Sequence, residues 1–289
     1  MFYIEKNDKP NWLEKKLTIL KVQNDTILIP IPKKEEQKTT KQQKTTEKQI
    51  EKMAIKTKKA IQKLSNSKKV VLSKEVQKEQ TYINYLNTYG IEISNGRWLF
   101  EILLPVITEY IVQKRKLEKV NISMLINDPT DVEIENIKTL ARKYKTINIV
   151  TNHIEKFKRL EKQLQEYEGI IITITNNKKK SLMKSQIILN IDFPKELINK
   201  YKINEDSIIV NIKGKIKITQ KRFNGLNIND YEIDYRDDKK NVKAFNNNYY
   251  LKDLYESELY KKQRINEVKE KIKLDKVIIR KLILNNGEL

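Results

Sequence analysis

Strand-type and helix-type patterns alternate from about Val120 to Lys213, and the first turn of that alternation carries no glycine. VNISMLI (120–126), INIVT (147–151), IIITIT (170–175), QIILNI (186–191) and SIIVNI (207–212) are short, nearly continuous apolar runs. Between them, Ile134, Ile137, Leu140, Ala141 and Tyr144 recur at helical spacing. So do Ile154, Phe157, Leu160, Leu164 and Tyr167, closed by Gly169, and Pro194 opens a short helix to about Lys200. Apolar strands without polar alternation belong to a parallel sheet covered on both faces. Parallel neighbours need crossover helices. The predicted fold class is therefore α/β: a doubly wound, mostly parallel sheet with an N-terminal helical extension and a C-terminal helix.

The flanks divide the chain into five segments. Residues 1–32 form a small N-terminal piece in which DTILIPIP (25–32) reads as a strand ended by proline. Residues 33–69 are a lysine-rich linker whose first part, free of aromatic residues, cannot bury a core. Its second part carries a weak apolar stripe, Ile50, Met53, Ala54, Thr57, Ile61 and Leu64, read as a helix that either docks on the body of the protein or orders only on a partner. Residues 70–118 are a helical lead-in: a helix capped by Ser73 and ended by Gly90, then an apolar helix from Arg97 to about Lys116 that Pro105 should kink. Residues 119–235 hold the alternating sheet with added strands at KIKIT (215–219) and YEIDY (231–235), read as a hairpin or edge addition. Residues 236–289 open with a polar loop, Asn246–Asn248. A charged helix follows from about Tyr250 to Ile272, and KVIIRKLIL (276–284) reads as a strand or the end of that helix.

Two stretches carry a likeness to a known group. The second strand ends in Thr151-Asn152-His153, and residues 185–212 run strand, proline-containing loop, small helix, strand. Here the chain resembles the Rossmann-like dinucleotide-binding domain shared by shikimate dehydrogenase, methylenetetrahydrofolate dehydrogenase and glutamyl-tRNA reductase. The resemblance implies NAD or NADP as the cofactor candidate. It also implies contact of the 151–153 strand end with the adenosine ribose or its phosphate, and a nicotinamide beside the loop at Pro194. The phosphate turn departs from it. A dinucleotide site needs glycines so that backbone N–H groups reach the pyrophosphate at a helix N-terminus. This chain has Asn127-Asp128-Pro129-Thr130-Asp131. Asp128 reads as the helix cap with Pro129 at the first helical position, and Asp131 and Glu133 complement the helix dipole. Those carboxylates repel phosphate, so no cofactor is expected.

The candidate ligand-binding residues are Asn127, Thr151, Asn152, His153, Asn190 and Asp192, which should share the crevice beyond the strand ends. Lys178, Lys179 and Lys180 form a basic knot in the loop between the third and fourth strands, a candidate contact for phosphate groups. His153 has no recognisable nucleophile or orienting carboxylate near it in sequence, so no catalytic residue is assigned. The absence of cysteine and the presence of one histidine exclude disulfides, thiolate catalysis and cysteine- or multi-histidine metal sites.

The formal charge is +21, of which +9 lies in 33–69. The remaining lysines are scattered, as lysine-, isoleucine- and asparagine-rich composition produces by itself. Nucleic acid is therefore a conceivable but unfavoured partner, and a protein partner at the N- or C-terminal helices is the alternative. No leader-like or membrane-spanning stretch is recognised, which makes the cytoplasm the expected location. The functional expectation is a non-catalytic protein acting as scaffold, regulator or small-ligand sensor. An oxidoreductase-like enzyme with a non-standard phosphate turn and a nucleic-acid-associated basic protein stand as alternatives.

Overall fold

The computed structural model describes residues 1–31, 40–64, 68–235, 248–260, 277–285 and 287–289. Two units emerge, one made of Met1–Gly96 and Asp238–Gln263, the other of Arg97–Asp237 and Arg264–Leu289.

The first unit is built on five strands. They are β1 (Phe2–Lys6), β2 (Lys21–Gln23), β3 (Thr26–Ile29), β4 (Lys69–Leu72) and β5 (Glu92–Ser94), in the order β2-β3-β1-β4-β5. β3, β1, β4 and β5 are parallel, and β2 pairs antiparallel with β3. Counted along the chain, the parallel strands run 2-1-3-4, the start of a common doubly wound order. Its strands come from three of the segments read from composition, so hydrogen bonding across the sheet overrides the boundaries expected at 32/33 and 69/70.

Helix α1 (Trp12–Leu17) starts at Asn11, whose side chain forms a reciprocal capping box with Glu14. Helix α2 (Thr40–Leu64) occupies most of the expected linker. Of the two expectations for its stripe, the first holds: Ile50, Met53, Ala54 and Ile61 are buried with Ile4, Ile27 and Leu86 of the core. Leu64 stays exposed. The single helix expected from Ser73 to Tyr89 is instead a 3-10 turn at Val76–Lys78 followed by α3 (Gln80–Thr88). Ser73 Oγ accepts the Val76 N–H at 3.4 Å and so caps only that turn.

The helix Leu251–Tyr260 completes this unit. Leu254 and Tyr249 are buried against Val71. Asp253 accepts the Gln77 amide at 2.6 Å, and Glu256 accepts Ser94 Oγ at 3.0 Å. The rest of the charged helix expected to run to Ile272 lies outside the described residues, as do Asn246 and Asn247.

The second unit begins with α4 (Arg97–Ile102) and α5 (Leu104–Arg115). The expected kink is thus a break at Leu103. Pro105 has no N–H to offer the Glu101 carbonyl four residues back, and the Asn136 side-chain amide donates to it instead at 2.7 Å. The sheet follows with β6 (Asn121–Leu125), α6 (Asp131–Lys143), β7 (Thr146–Val150), α7 (Ile154–Glu168), β8 (Thr173–Thr175), α8 (Lys178–Lys184), β9 (Ile187–Asn190), α9 (Lys195–Lys200) and β10 (Ile208–Asn211). It ends with β11 (Leu226–Tyr235), β12 (Val277–Leu284) and β13 (Gly287–Glu288). Their order is β13-β12-β11-β10-β9-β6-β7-β8. The six strands β6 to β11 are parallel, and β12 and β13 are antiparallel additions. Numbered along the chain, the parallel strands read 3-2-1-4-5-6, the order of the doubly wound dinucleotide-binding sheet. β9 and β10 are buried at every position, as strands covered on both faces must be. Leu182 of α8 and Ile198 of α9 cover Leu125, Ile188 and Ile209 on one face.

KIKIT is not a strand. Residues 214–220 form an irregular strap, and asparagine side chains replace its ladder. Asn229 Oδ1 accepts the Ile216 N–H at 2.8 Å, while Asn227 and Asn229 donate to the Ile216 carbonyl at 2.7 and 3.1 Å. These asparagines belong to a buried amide chain across the sheet. Asn190 Nδ2 donates to Asn211 Oδ1 at 3.0 Å, and Asn211 Nδ2 donates to Asn227 Oδ1 and Asn229 Oδ1 at 2.8 and 3.0 Å. YEIDY forms the second half of β11, which pairs parallel to β10 on one side and antiparallel to β12 on the other. Gly225 precedes β11 because a Cβ there would stand 1.9 Å from the Ser207 carbonyl oxygen, which accepts the Leu226 N–H.

Candidate functional site

Strand order reverses between β6 and β9, and in open α/β sheets the ligand crevice lies beyond the strand ends at that point. The turn after β6 turns its first two N–H groups inward. Both meet an internal anion. The Asp192 carboxylate, just past β9, accepts the Asn127 N–H with each oxygen at 2.9 Å and the Asp128 N–H at 2.9 Å. Asn127 Oδ1 in turn accepts the Asn152 N–H at 2.9 Å.

The cap of α6 is Thr130, not Asp128. Thr130 and Glu133 form a reciprocal capping box, which leaves Asp128 and Pro129 in the turn. Asp128 is exposed and pairs with Lys156, and that ammonium holds its carboxyl below the usual range.

The structure joins Asn127, Asn152 and Asp192 into one hydrogen-bonded set. Thr151 is buried, with its hydroxyl accepting the His153 N–H at 3.0 Å in the turn before α7. His153 is exposed at the α7 N-terminus, and its side chain makes no capping bond. Asn190 is committed elsewhere: its amide holds the Phe193 backbone at 3.0 and 3.2 Å and continues the asparagine chain. Lys178, Lys179 and Lys180 are not in a loop but open α8, where Asn177 caps the helix through the Lys180 N–H at 3.0 Å. Lys178 is buried with its ammonium 5.9 Å from the centre of the Phe193 ring, so only Lys179 and Lys180 present free charge at the surface.

A second cluster stands beside the same turn. Thr130 Oγ1 donates to Glu101 at 3.0 Å, the Glu133 carboxylate accepts the Thr130 N–H at 2.5 Å, and Lys213 reaches Glu133 at 3.3 Å. Glu133 is fully buried. Burial first, and the neighbouring Glu133 charge second, push the Glu101 carboxyl up to about 6. Sequence reasoning gave Glu101 no role, although a carboxylate four residues into an apolar helix was the available signal.

The folded protein holds the Glu101 proton more tightly than the unfolded chain does. Between about pH 4.5 and 6 the folded state binds more protons, so this group's contribution falls as pH rises through that window. Glu101→Gln keeps an acceptor for Thr130 and abolishes the loss. It should stabilise the protein by about 2 kcal/mol near pH 8 and by nothing near pH 4, in urea denaturation. An equal effect at both pH values would refute the assignment.

Among the described residues, no cluster of three or more His, Cys, Asp or Glu side chains is arranged to hold a metal, and no helix is long and apolar enough to cross a membrane. No protein-family model, curated protein or solved structure matches the chain.

Proposed function

We propose that this chain is a non-catalytic protein built on a degenerate Rossmann-like domain, acting as a scaffold or regulator. The observation that carries this reading is the Asp192 carboxylate on the backbone N–H groups of Asn127 and Asp128. In a dinucleotide domain, N–H groups of the turn after the first strand receive the pyrophosphate. Here a covalently attached anion takes up two of them, no glycine opens the turn, and Asp128 and Asp131 flank it. These residues do not fit a dinucleotide phosphate. The strand order supports kinship with the dinucleotide domain of the shikimate dehydrogenase, methylenetetrahydrofolate dehydrogenase and glutamyl-tRNA reductase group, with the cofactor function lost. The sensor version is weakened because the Asn127, Thr151 and Asn190 side chains spend hydrogen bonds on the backbone of neighbouring turns and, for Asn190, on Asn211.

Thermal denaturation with NADH and NADPH tests the reading. No shift in midpoint at millimolar cofactor is expected, because a ligand that binds only the folded state must raise it. A clear upward shift with either nucleotide would overturn the proposal in favour of the oxidoreductase-like alternative.

A further inference from the structure

Five lysines of α2 fall in a row. Lys48, Lys52, Lys56, Lys59 and Lys63 follow spacings of four, four, three and four residues, which aligns them on one helix face, and all five are exposed. At the rise of an α-helix the stripe is about 22 Å long. The acidic residues of α2 lie on another flank, where Glu47 and Glu51 accept the Tyr85 and Tyr89 hydroxyls of α3. The lysine flank adjoins α1 instead: Lys56 Nζ donates to the Leu17 and Thr18 carbonyls, the latter at 3.2 Å.

At that junction the surface is apolar. Trp12 is 67% exposed, Leu13 51% and Leu17 53%, and Ile19 and Val22 beyond the helix are exposed as well. The acidic residue of α1, Glu14, is buried and paired with Lys21 at 2.7 Å, so it does not offset Lys15 and Lys16 at the surface. The Lys16 ammonium lies 4.7 Å from the centre of the Trp12 ring. An exposed tryptophan and aliphatic residues beside a row of cations match an interface whose partner is apolar beneath an anionic skin.

We propose that this face of the first unit docks on an anionic lipid bilayer. Trp12, Leu13 and Leu17 enter the boundary between headgroups and acyl chains, and the α2 lysines lie over the anionic headgroups. A phosphodiester backbone would match the stripe, but it would gain nothing from Leu13, Leu17, Ile19 and Val22. The inference is independent of the state of the crevice at β6 and β9.

The test is co-sedimentation of the full chain with phosphatidylcholine vesicles, with and without phosphatidylserine, and competition by duplex DNA. Binding is expected only with phosphatidylserine and should weaken with salt. Each lysine at such a surface contributes about fivefold, so Lys52→Gln/Lys59→Gln/Lys63→Gln together should lower affinity about a hundredfold. Trp12→Ser should lower it about tenfold. Circular dichroism melting of each variant separates lost binding from lost folding, and these solvent-facing substitutions should leave it unchanged. Equal binding to both vesicles, or none to either, overturns the proposal. So does competition by DNA combined with indifference to Trp12→Ser, which would assign the stripe to nucleic acid.

Discussion

Asn211→Leu should destabilise the second unit by about 3–5 kcal/mol. Asn211 is fully buried. Its amide accepts from Asn190 and donates to Asn227 and Asn229, and through them it holds the strap at Ile216. Leucine fills nearly the same volume, so the loss comes from polar groups left without partners rather than from a cavity. Each such buried group costs about 1–3 kcal/mol, and the Asn227 carbonyl and one Asn190 N–H both lose theirs. Urea denaturation followed by Trp98 fluorescence in a Trp12→Phe background isolates this unit. A loss below about 1 kcal/mol would show that the amide chain is replaceable by apolar packing.

Asp192→Ala should cost about 2–3 kcal/mol and create a new response to anions. Hydrogen bonds to a charged acceptor contribute about 1.5–3 kcal/mol each, and the partial exposure of Asp192 lowers the sum for its bonds to Asn127 and Asp128. The vacated N–H groups then donate to an outside anion, so sulfate or pyrophosphate should raise the melting temperature of the variant more than that of the native chain. Asp192→Asn keeps one acceptor oxygen and should show about half the loss. If alanine is tolerated without cost and sulfate stabilises the variant no more than the native chain, the carboxylate is an incidental neighbour of the turn.

The centre of the second sheet was legible because β9 and β10 are buried on both faces, and Ile187–Asn190 or Ile208–Asn211 cannot be confused with half-wet strands. The first sheet was harder to read. Glu92–Ser94 is three residues long and carries one aliphatic side chain, and its strand identity comes from pairing with Lys69–Val71. The cap of α6 was misplaced although Thr130 and Glu133 stand at capping-box spacing; Asp128-Pro129 is an equally good local signal, and the reciprocal bond decides between them. KIKIT has the alternation of a strand, but strands need a partner backbone, and the Asn227 and Asn229 side chains took that role at Ile216. The contact that fills the turn after β6 was not legible. Asp192 and Asn127 are 65 residues apart, and only the pairing of β6 with β9 brings the carboxylate to the turn.

The first unit is discontinuous, and that orders events during translation. Its sheet is synthesised by Gly96, yet the helix that covers Val71 is read out only near Tyr260. At about 5–20 residues per second, the intervening stretch takes roughly ten to thirty seconds. For that interval the nascent N-terminal sheet carries an uncovered apolar face, while β6 to β11 are already available to fold. The N-terminal unit therefore completes its core only when most of the second unit has been synthesised.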